Sequence, residues 1–405
     1  MLLVPTLAAV TLSLSEGSAA DVRSVPGQGR VSLDLGTSPV ADLAVSSRTS
    51  TFDIRYSPRF SVFDVTESRD FSVQHVGGMG YSWGTRKLRL SLAVGGTYGQ
   101  VLFYKAVAPG PTIAPPAAGD NGTGQPPQPA MSGAQVPPTQ LLPQASILTT
   151  VGVNASLNAY YQFTRRWSGY MGVGFGVGGG VRGSENSLPL SYGPSAGMGV
   201  GYLLRKADTL SSSLSGSVAF VPKTRGKFQT ITLLEGYTHS FGARTVGSVG
   251  AGATYVEARP LARAKKSRAV NAAGQASISQ GFKLDGGALL GVTTGATLTS
   301  NYDPVLGTVT QALSGGGVIG WARKRLSLGA GVQAGHSLPW DASNAYAVYG
   351  ANAGVSYQLS KPVQLGASAY WSHQVLPASL ELAGVTPDRW GMSLSVTVSA
   401  PPIKF

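Results

Sequence analysis

The chain has no cysteine, little charge and no long apolar segment after its N-terminus. The absence of cysteine from all 405 residues removes disulfides, thiolate metal sites and cysteine nucleophiles together. Charged residues make up 12% of the chain, roughly half the share of an average soluble protein. No later stretch approaches the twenty or so apolar residues that a membrane-spanning helix needs, so a helical span is not expected.

Glycine, by contrast, is plentiful. It accounts for 55 of 405 residues, about twice its usual share. The glycines show no three-residue period, which excludes collagen, and each would cost about 1 kcal/mol in a helix relative to alanine. The length allows either several soluble domains or one large closed barrel, and this composition favours the barrel.

From Thr49 onward, apolar residues alternate with small or polar ones, which is the period of a pleated strand. Leu326, Leu328 and Ala330, for example, interleave with Ser327 and Gly329. Each predicted strand therefore has one apolar and one polar face. A soluble β-sandwich would show the same alternation, so the connections between strands must decide between the two.

The connections alternate between very short and longer ones. The predicted strands are 49–61, 69–81, 87–103, 146–163, 167–180, 192–204, 208–221, 228–240, 245–256, 269–282, 284–301, 307–322, 326–337, 346–359, 363–374 and 389–399. Short periplasmic turns alternating with longer outer loops are typical of outer-membrane barrels. The sequence therefore predicts an all-β fold: a single transmembrane antiparallel β-barrel of about 16 strands, in the outer membrane. A further hairpin at 31–47 would make eighteen.

The rest of the chain divides into short segments. Residues 2–14 are mainly apolar and Ser18, Ala19 and Ala20 follow them, which predicts a signal peptide at 1–20 although no Lys or Arg precedes the apolar run. Residues 21–48 are then expected as a periplasmic N-terminal segment, 49–399 as the barrel and 400–405 as a C-terminal tail. The Pro-rich outer loop 104–145 is expected to be disordered, as a solvated spacer or as a binding lid.

If the apolar faces meet lipid, the opposite positions point into the lumen. The predicted lumen-lining residues are Asn154, Ser156, Asn158, Gln162, Gln275, Ser277, Gln333, Asn352, Ser356, Gln364 and Ser368. Neutral amides and hydroxyls suit a carbohydrate better than a selected ion, because ion-selective pores use rings of one charge sign. Side chains that merely tolerate water would explain the same set. Inward positions are expected to carry little charge, with Arg89 as an exception.

The net charge of +13 would ordinarily suggest nucleic acid as a partner. Much of the excess, however, falls in predicted turns and one outer loop, so no nucleic-acid partner is expected. The outer-loop basic cluster consists of Arg259, Arg263, Lys265, Lys266 and Arg268. It suits an acidic glycan or lipopolysaccharide phosphates, or it is simply a solvated loop. The short-turn basic residues either keep the turns out of lipid or dock an acidic periplasmic partner.

Nothing in the sequence points to catalysis. His75, His239, His336 and His373 fall in separate predicted strands, and only the last two would come near one another. No nucleotide-binding, dinucleotide, paired-histidine or EF-hand motif is present. No enzyme activity, metal site or cofactor is therefore expected.

Several segments resemble a known group of proteins. They are Tyr56 to Arg59, the His75 strand, Leu188 to Leu190 leading into Gly193 and Pro194, and Arg205 to Leu210. Together they resemble large outer-membrane β-barrel proteins of social, gliding Gram-negative bacteria, which include the integral barrel porins of polysaccharide export. The resemblance covers most of 49–399, but its motifs are structural turn signals and carry over no functional residue.

The resemblance implies an outer-membrane channel that exports a secreted or surface polysaccharide. A periplasmic polysaccharide export protein would then deliver the glycan, and outer-membrane lipid would surround the barrel. One alternative is a structural or scaffolding barrel of a motility or adhesion complex. Another is a general diffusion porin, although a charged constriction loop would then be expected and 104–145 is almost uncharged.

Overall fold

The computed structural model describes residues 9–24, 31–63, 70–103, 146–183, 189–223, 225–259, 267–303, 308–338, 347–375 and 388–404. Nearly all of them are in β-strands. The strands are β1 (Ala9–Ser24), β2 (Val31–Ser46), β3 (Ser50–Phe63), β4 (Asp70–Gly84), β5 (Leu88–Phe103), β6 (Ser146–Gln162), β7 (Trp167–Gly180), β8 (Ser191–Arg205), β9 (Asp208–Val221), β10 (Gly226–Gly242), β11 (Thr245–Arg259), β12 (Ser267–Lys283), β13 (Leu289–Asp303), β14 (Thr308–Arg323), β15 (Leu326–Leu338), β16 (Ala347–Gln358), β17 (Val363–Val375), β18 (Asp388–Ser399) and β19 (Ile403–Lys404). In this described part, no helix is long and apolar enough to cross a membrane.

The strands close into one antiparallel barrel. Each of β1 to β18 pairs with its neighbours in the chain, and β1 closes the ring by pairing with both β2 and β18. The short β19 pairs with β1 at Thr11 and Leu12. The predicted antiparallel barrel is confirmed, and its wall has eighteen strands, the larger of the two predicted numbers. The two additional strands are β1 and β2, however, and not a hairpin within 31–47. All sixteen predicted strands are present as β3 to β18.

The N-terminal region differs from the predicted division of the chain. The structure has β1 and β2 in the barrel wall, where the sequence suggested a signal peptide at 1–20 and a periplasmic segment at 21–48. The apolar run that resembles a signal peptide also has the period of a strand, because Leu12 and Leu14 alternate with Thr11 and Ser13. In β1 these residues pair with β2 over the whole strand.

The short turns follow a common local design. Ser47 accepts backbone hydrogen bonds on its hydroxyl from the amides of Thr49 and Ser50, at 3.3 and 3.0 Å. Thr85 and Thr164 cap the next two short turns in the same way. A hydroxyl at the first turn position satisfies amides that the ladder leaves unpaired. Because β1 starts and β18 ends at this short-turn edge, we take it as the periplasmic edge.

The longer connections lie at the opposite edge. The predicted disordered loop 104–145 falls outside the residues that the structure describes. A small inward-facing apolar cluster of Phe228, Val256 and Ala258, with Ala219 against it, lies at this loop edge. The wall elsewhere is a single sheet, with one face toward lipid and the other toward the lumen.

Candidate functional site: the lumen wall

The outer wall is identified by apolar side chains on paired strands. Leu92 lies opposite Leu157, which in turn lies opposite Val173. Their side chains are 40%, 48% and 50% exposed. Directly opposed residues share a face of the sheet, and a membrane barrel turns its apolar face to lipid. The alternate positions of every strand therefore face the lumen.

Aromatic rings form bands at both ends of the outer wall. At the short-turn edge, the rings of Trp167 and Tyr202 are 4.6 Å apart. At the loop edge, the rings of Tyr192 and Phe220 are 5.7 Å apart. Aromatic side chains collect at both membrane–water interfaces of such barrels, so the two bands mark how deeply the wall lies in the membrane.

All the residues predicted to line the lumen lie on the inward face. They are Asn154, Ser156, Asn158 and Gln162 on β6, Gln275 and Ser277 on β12, Gln333 on β15, Asn352 and Ser356 on β16, and Gln364 and Ser368 on β17. The period of two places them there, since each occupies the phase opposite to the lipid-facing residues of its strand. Their part in binding a solute stays a prediction.

Inward amides lie flat over glycines of the neighbouring strand. A Cβ atom on Gly95 would lie 2.9 Å from Oδ1 of Asn154, and one on Gly350 would lie 3.0 Å from Nε2 of Gln333. Real Cβ atoms essentially never come closer than 3.0 Å to such atoms. The same arrangement recurs for Asn352 over Gly331 and for Ser395 over Gly366. The inward glycines thus keep polar side chains against the wall, which widens the lumen.

An aromatic row crosses the short-turn half of the inner wall. Tyr160 of β6 lies directly opposite Tyr170 of β7, and Arg89 of β5 lies opposite Tyr160. The ring of Tyr170 lies over Gly199, where a Cβ atom would be 2.5 Å from the ring. We refer to Arg89, Tyr160 and Tyr170 as the tyrosine row.

The expectation that inward positions carry little charge is wrong for the first five strands. Among the side chains that the structure describes, the inward charged ones there are Asp21, Asp34, Asp42, Asp53, Arg55, Arg59 and Arg89. Asp42 and Arg55 are direct partners across β2 and β3. The inward positions of β6, β7, β9, β10, β16 and β17 carry no charged residue over the described part of those strands. The sequence interpretation placed β1 and β2 outside the barrel and therefore missed Asp21, Asp34 and Asp42. Asp53, Arg55 and Arg59 lie in the predicted strand 49–61, but their inward charge was not recognised.

The four histidines all lie on the lipid-facing side and away from the lumen. His75 bonds the hydroxyl of Tyr56 at 2.8 Å, and His373 contacts Asp388 at 3.0 Å. His336 and His373 sit on β15 and β17, two strands apart as predicted. Across the described ranges, no three metal-ligating side chains come together.

The basic residues divide between the two edges. Arg259 is the last residue of β11 and Arg268 is the second residue of β12, both on the lipid-facing side. Arg263, Lys265 and Lys266 lie outside the described residues. The short-turn basic residues lie at or beside the periplasmic turns: Arg165, Arg166, Arg205, Lys206, Arg323, Lys324 and Arg325. Lys324 adopts a φ of 50° in its two-residue turn.

A closed antiparallel wall with an apolar outside, two aromatic bands and a polar inside defines an outer-membrane β-barrel channel. The chain belongs to the EpsX exopolysaccharide export family, whose model matches residues 6–275, more than half of its 405 residues. The match includes nearly all the residues of β1 to β12. No curated protein sequence matches the chain.

Solved barrels show distant similarity. The crystal structure of Acinetobacter baumannii OccAB4 has a TM-score of 0.48 and 10% identity, covering 99% of both chains. That of Pseudomonas aeruginosa OccK2 (OpdF) has a TM-score of 0.49 and 11% identity, covering 98% of both chains. The FrpB iron transporter from Neisseria meningitidis has a TM-score of 0.48 and 8% identity, covering 90% of this chain and 63% of its own. Similarities this distant say nothing about what passes the lumen.

Proposed function

We propose that this barrel is the outer-membrane channel through which a secreted or surface polysaccharide leaves the cell. The observation that carries the proposal is the inner wall, where neutral amides and hydroxyls lie over glycines at several strand pairs. A barrel of this strand number is wide enough for an aqueous channel. Membership of the EpsX exopolysaccharide export family supports the same direction of transport. So does the resemblance to barrels of social, gliding bacteria.

The chemistry of this wall suits a hydrated sugar chain. An amide both donates and accepts hydrogen bonds, as a sugar hydroxyl does, so Asn154 and Gln333 can exchange water for glycan without strict geometry. Conduction requires contacts that are favourable enough for entry yet weak and repeated enough for release. The tyrosine row adds flat apolar faces on which the C–H face of a sugar ring can stack.

The channel would work with a periplasmic polysaccharide export protein. The sequence carries no nucleotide-binding motif, so energy for export would come from machinery in the periplasm and inner membrane. The short-turn basic residues offer a positively charged periplasmic rim to an acidic docking surface. Charge complementarity of this kind mainly steers and orients association.

Adjacent tyrosines allow a matched test in cells. Tyr160 faces the lumen and Tyr161 faces lipid, so the two positions share a strand but not a face. In a gene-deletion strain, we expect wild type and Tyr161→Ala to restore secreted and surface polysaccharide. The double variant Tyr160→Ala/Tyr170→Ala should restore less at an equal amount of folded barrel.

The outcome of the deletion itself separates the candidate functions. Loss of polysaccharide together with a large, weakly selective conductance in planar bilayers supports export. Unchanged polysaccharide and a closed barrel would contradict it and leave a scaffolding role in a surface complex. Unchanged polysaccharide with an open pore that passes small solutes would instead favour a general diffusion porin.

A further inference from the structure

Basic side chains gather on the lipid-facing wall at the loop edge of β10 to β12. Lys227 of β10 lies directly opposite Arg259 of β11. Two residues further along the strands, Glu257 lies opposite Arg268 of β12. All four share the lipid-facing side, because their strand phase is that of exposed Ile231 and Val270.

Lys227, Glu257 and Arg259 line a groove with a volume of about 470 Å³, and Arg268 lies beside it, in contact with Glu257. Arg225 adds a third cation to its lining, from the turn that precedes β10, with a φ of 52°. Aromatic Tyr192 and Phe220 form the side of the groove nearest β8 and β9. The groove thus combines cationic groups with an apolar flank.

The aromatic residues beside the groove indicate how deep it lies in the membrane. Tyr192 and Phe220 belong to the aromatic band of the loop edge, and Phe220 lies opposite Lys227. The ammonium group of Lys227 is 5.8 Å from the centre of the Phe220 ring. Because such bands mark the membrane–water interface, the cations sit at the level of lipid headgroups in the outer leaflet.

The charge of the groove is strongly unbalanced. Arg225, Lys227, Arg259 and Arg268 face a single carboxylate, that of Glu257, among the described residues of this patch. Arg268 donates from Nε to Oε2 of Glu257 at 3.1 Å, and the hydroxyl of Tyr255 donates to the same oxygen at 3.2 Å. The carboxylate of Glu257 therefore already accepts hydrogen bonds within the protein. The terminal guanidinium nitrogens of Arg268 remain able to bind an external anion.

We propose that this groove binds the phosphate groups of lipid A, the membrane anchor of lipopolysaccharide in the outer leaflet. Guanidinium groups bind phosphate through paired, charge-assisted hydrogen bonds, and lysine adds a point charge. The acyl chains would lie along the apolar wall below, beside Ile231 and Val270. The charged and aromatic side chains that line the groove have the lipid-facing phase of their strands, so the groove is separate from the path proposed for the polysaccharide.

The test measures lipid A binding to the purified full-length barrel by native mass spectrometry. The variant Lys227→Gln/Arg259→Gln/Arg268→Gln should lower the apparent affinity for bisphosphorylated lipid A by about tenfold or more, because it removes three charge-assisted contacts. The control Arg165→Gln/Arg166→Gln/Lys206→Gln removes equal charge at the periplasmic edge and should bind like wild type. The wild type and the two variants should bind dephosphorylated lipid A with the same apparent affinity.

Wild-type affinity in the groove variant, or an equal loss in the control, would overturn the proposal. Heat-modifiable migration on gels checks that each barrel is folded. If the triple variant does not assemble, Arg259→Gln alone, which breaks no ion pair in the described structure, replaces it and must still weaken binding. Polysaccharide secretion is a separate readout, so failure of the lipid site would leave the export proposal standing.

Discussion

Asn154 lies over Gly95 of the neighbouring strand, with its Oδ1 only 2.9 Å from where a Cβ atom on Gly95 would stand. The amide can lie flat against the wall because the glycine leaves that space free. Since the same arrangement recurs around the lumen, the high glycine content contributes directly to the width of the bore.

The first prediction is that Gly95→Ala narrows the lumen. The new methyl group would push the Asn154 amide toward the bore, at little cost in barrel stability because the atom that must move is the end of a flexible side chain. Single-channel conductance should therefore fall. Gly96→Ala is the control, because a Cβ there points to lipid and meets its nearest atom at 3.4 Å. Equal conductance in the two variants would show that the amide does not limit the bore.

A second prediction concerns the charged sector of the lumen. Arg55 and Arg59 are exposed on the inward face of β3, among the inward aspartates of the neighbouring strands. Removing both cations with Arg55→Gln/Arg59→Gln leaves the aspartates in excess, so the pore should become more permeable to cations. The reversal potential across a salt gradient measures this shift.

Arg86→Gln, in the short turn between β4 and β5, is the matched control for the arginine variant and should leave the reversal potential unchanged. If Arg55→Gln/Arg59→Gln also leaves the reversal potential unchanged, the charged sector of the lumen lies away from the path of the ions. A shift toward anions would contradict the assignment of these side chains to the lumen.

The inward position of the amides could be predicted from the sequence, whereas the glycines over which they lie could not. The side chain of Asn154 faces the lumen because strands have a strict period of two, and the sequence shows that period directly. Whether Asn154 meets Gly95 depends on the register between β5 and β6. Register is set across strands that are separated by a long loop, so local patterns do not fix it.

The first two strands were not among the sixteen predicted ones for a different reason, although a hairpin at 31–47 was an alternative. The run containing Leu12 and Leu14, followed by small residues, satisfies the rule for a signal peptide as well as the period of a strand. Asp34 and Asp42 were therefore placed outside the barrel, whereas Asp53, Arg55 and Arg59 of the same charged sector lie in the predicted strand 49–61.

A third prediction concerns a carboxylate on the lipid-facing side. Glu235 lies near the middle of β10, exposed on the outer wall, and accepts a hydrogen bond of 2.7 Å from Ser212. Ionisable groups on that face are destabilising in lipid, so Glu235→Leu should raise the free energy of unfolding by about 1 kcal/mol. Urea titration in lipid vesicles measures it. Ser212→Ala, which removes only the hydrogen bond, should not stabilise the barrel. If Glu235→Leu lowers the free energy of unfolding instead, the hydrogen bond between Ser212 and Glu235 stabilises the barrel more than contact between leucine and lipid does.

The last prediction is that the mature barrel keeps residues 9–20. Ser15 to Arg23 of β1 pair with β18, and all of β1 pairs with β2. Cleavage before Asp21 would leave a gap between those strands, and unpaired backbone groups in lipid cost several kcal/mol each. Intact mass of the protein from outer membranes should therefore include Ala9 to Ala20. A chain starting at Ala9 should fold into a heat-modifiable barrel and one starting at Asp21 should not. A folded barrel whose first residue is Asp21 would instead establish the signal peptide and exclude β1 from the wall.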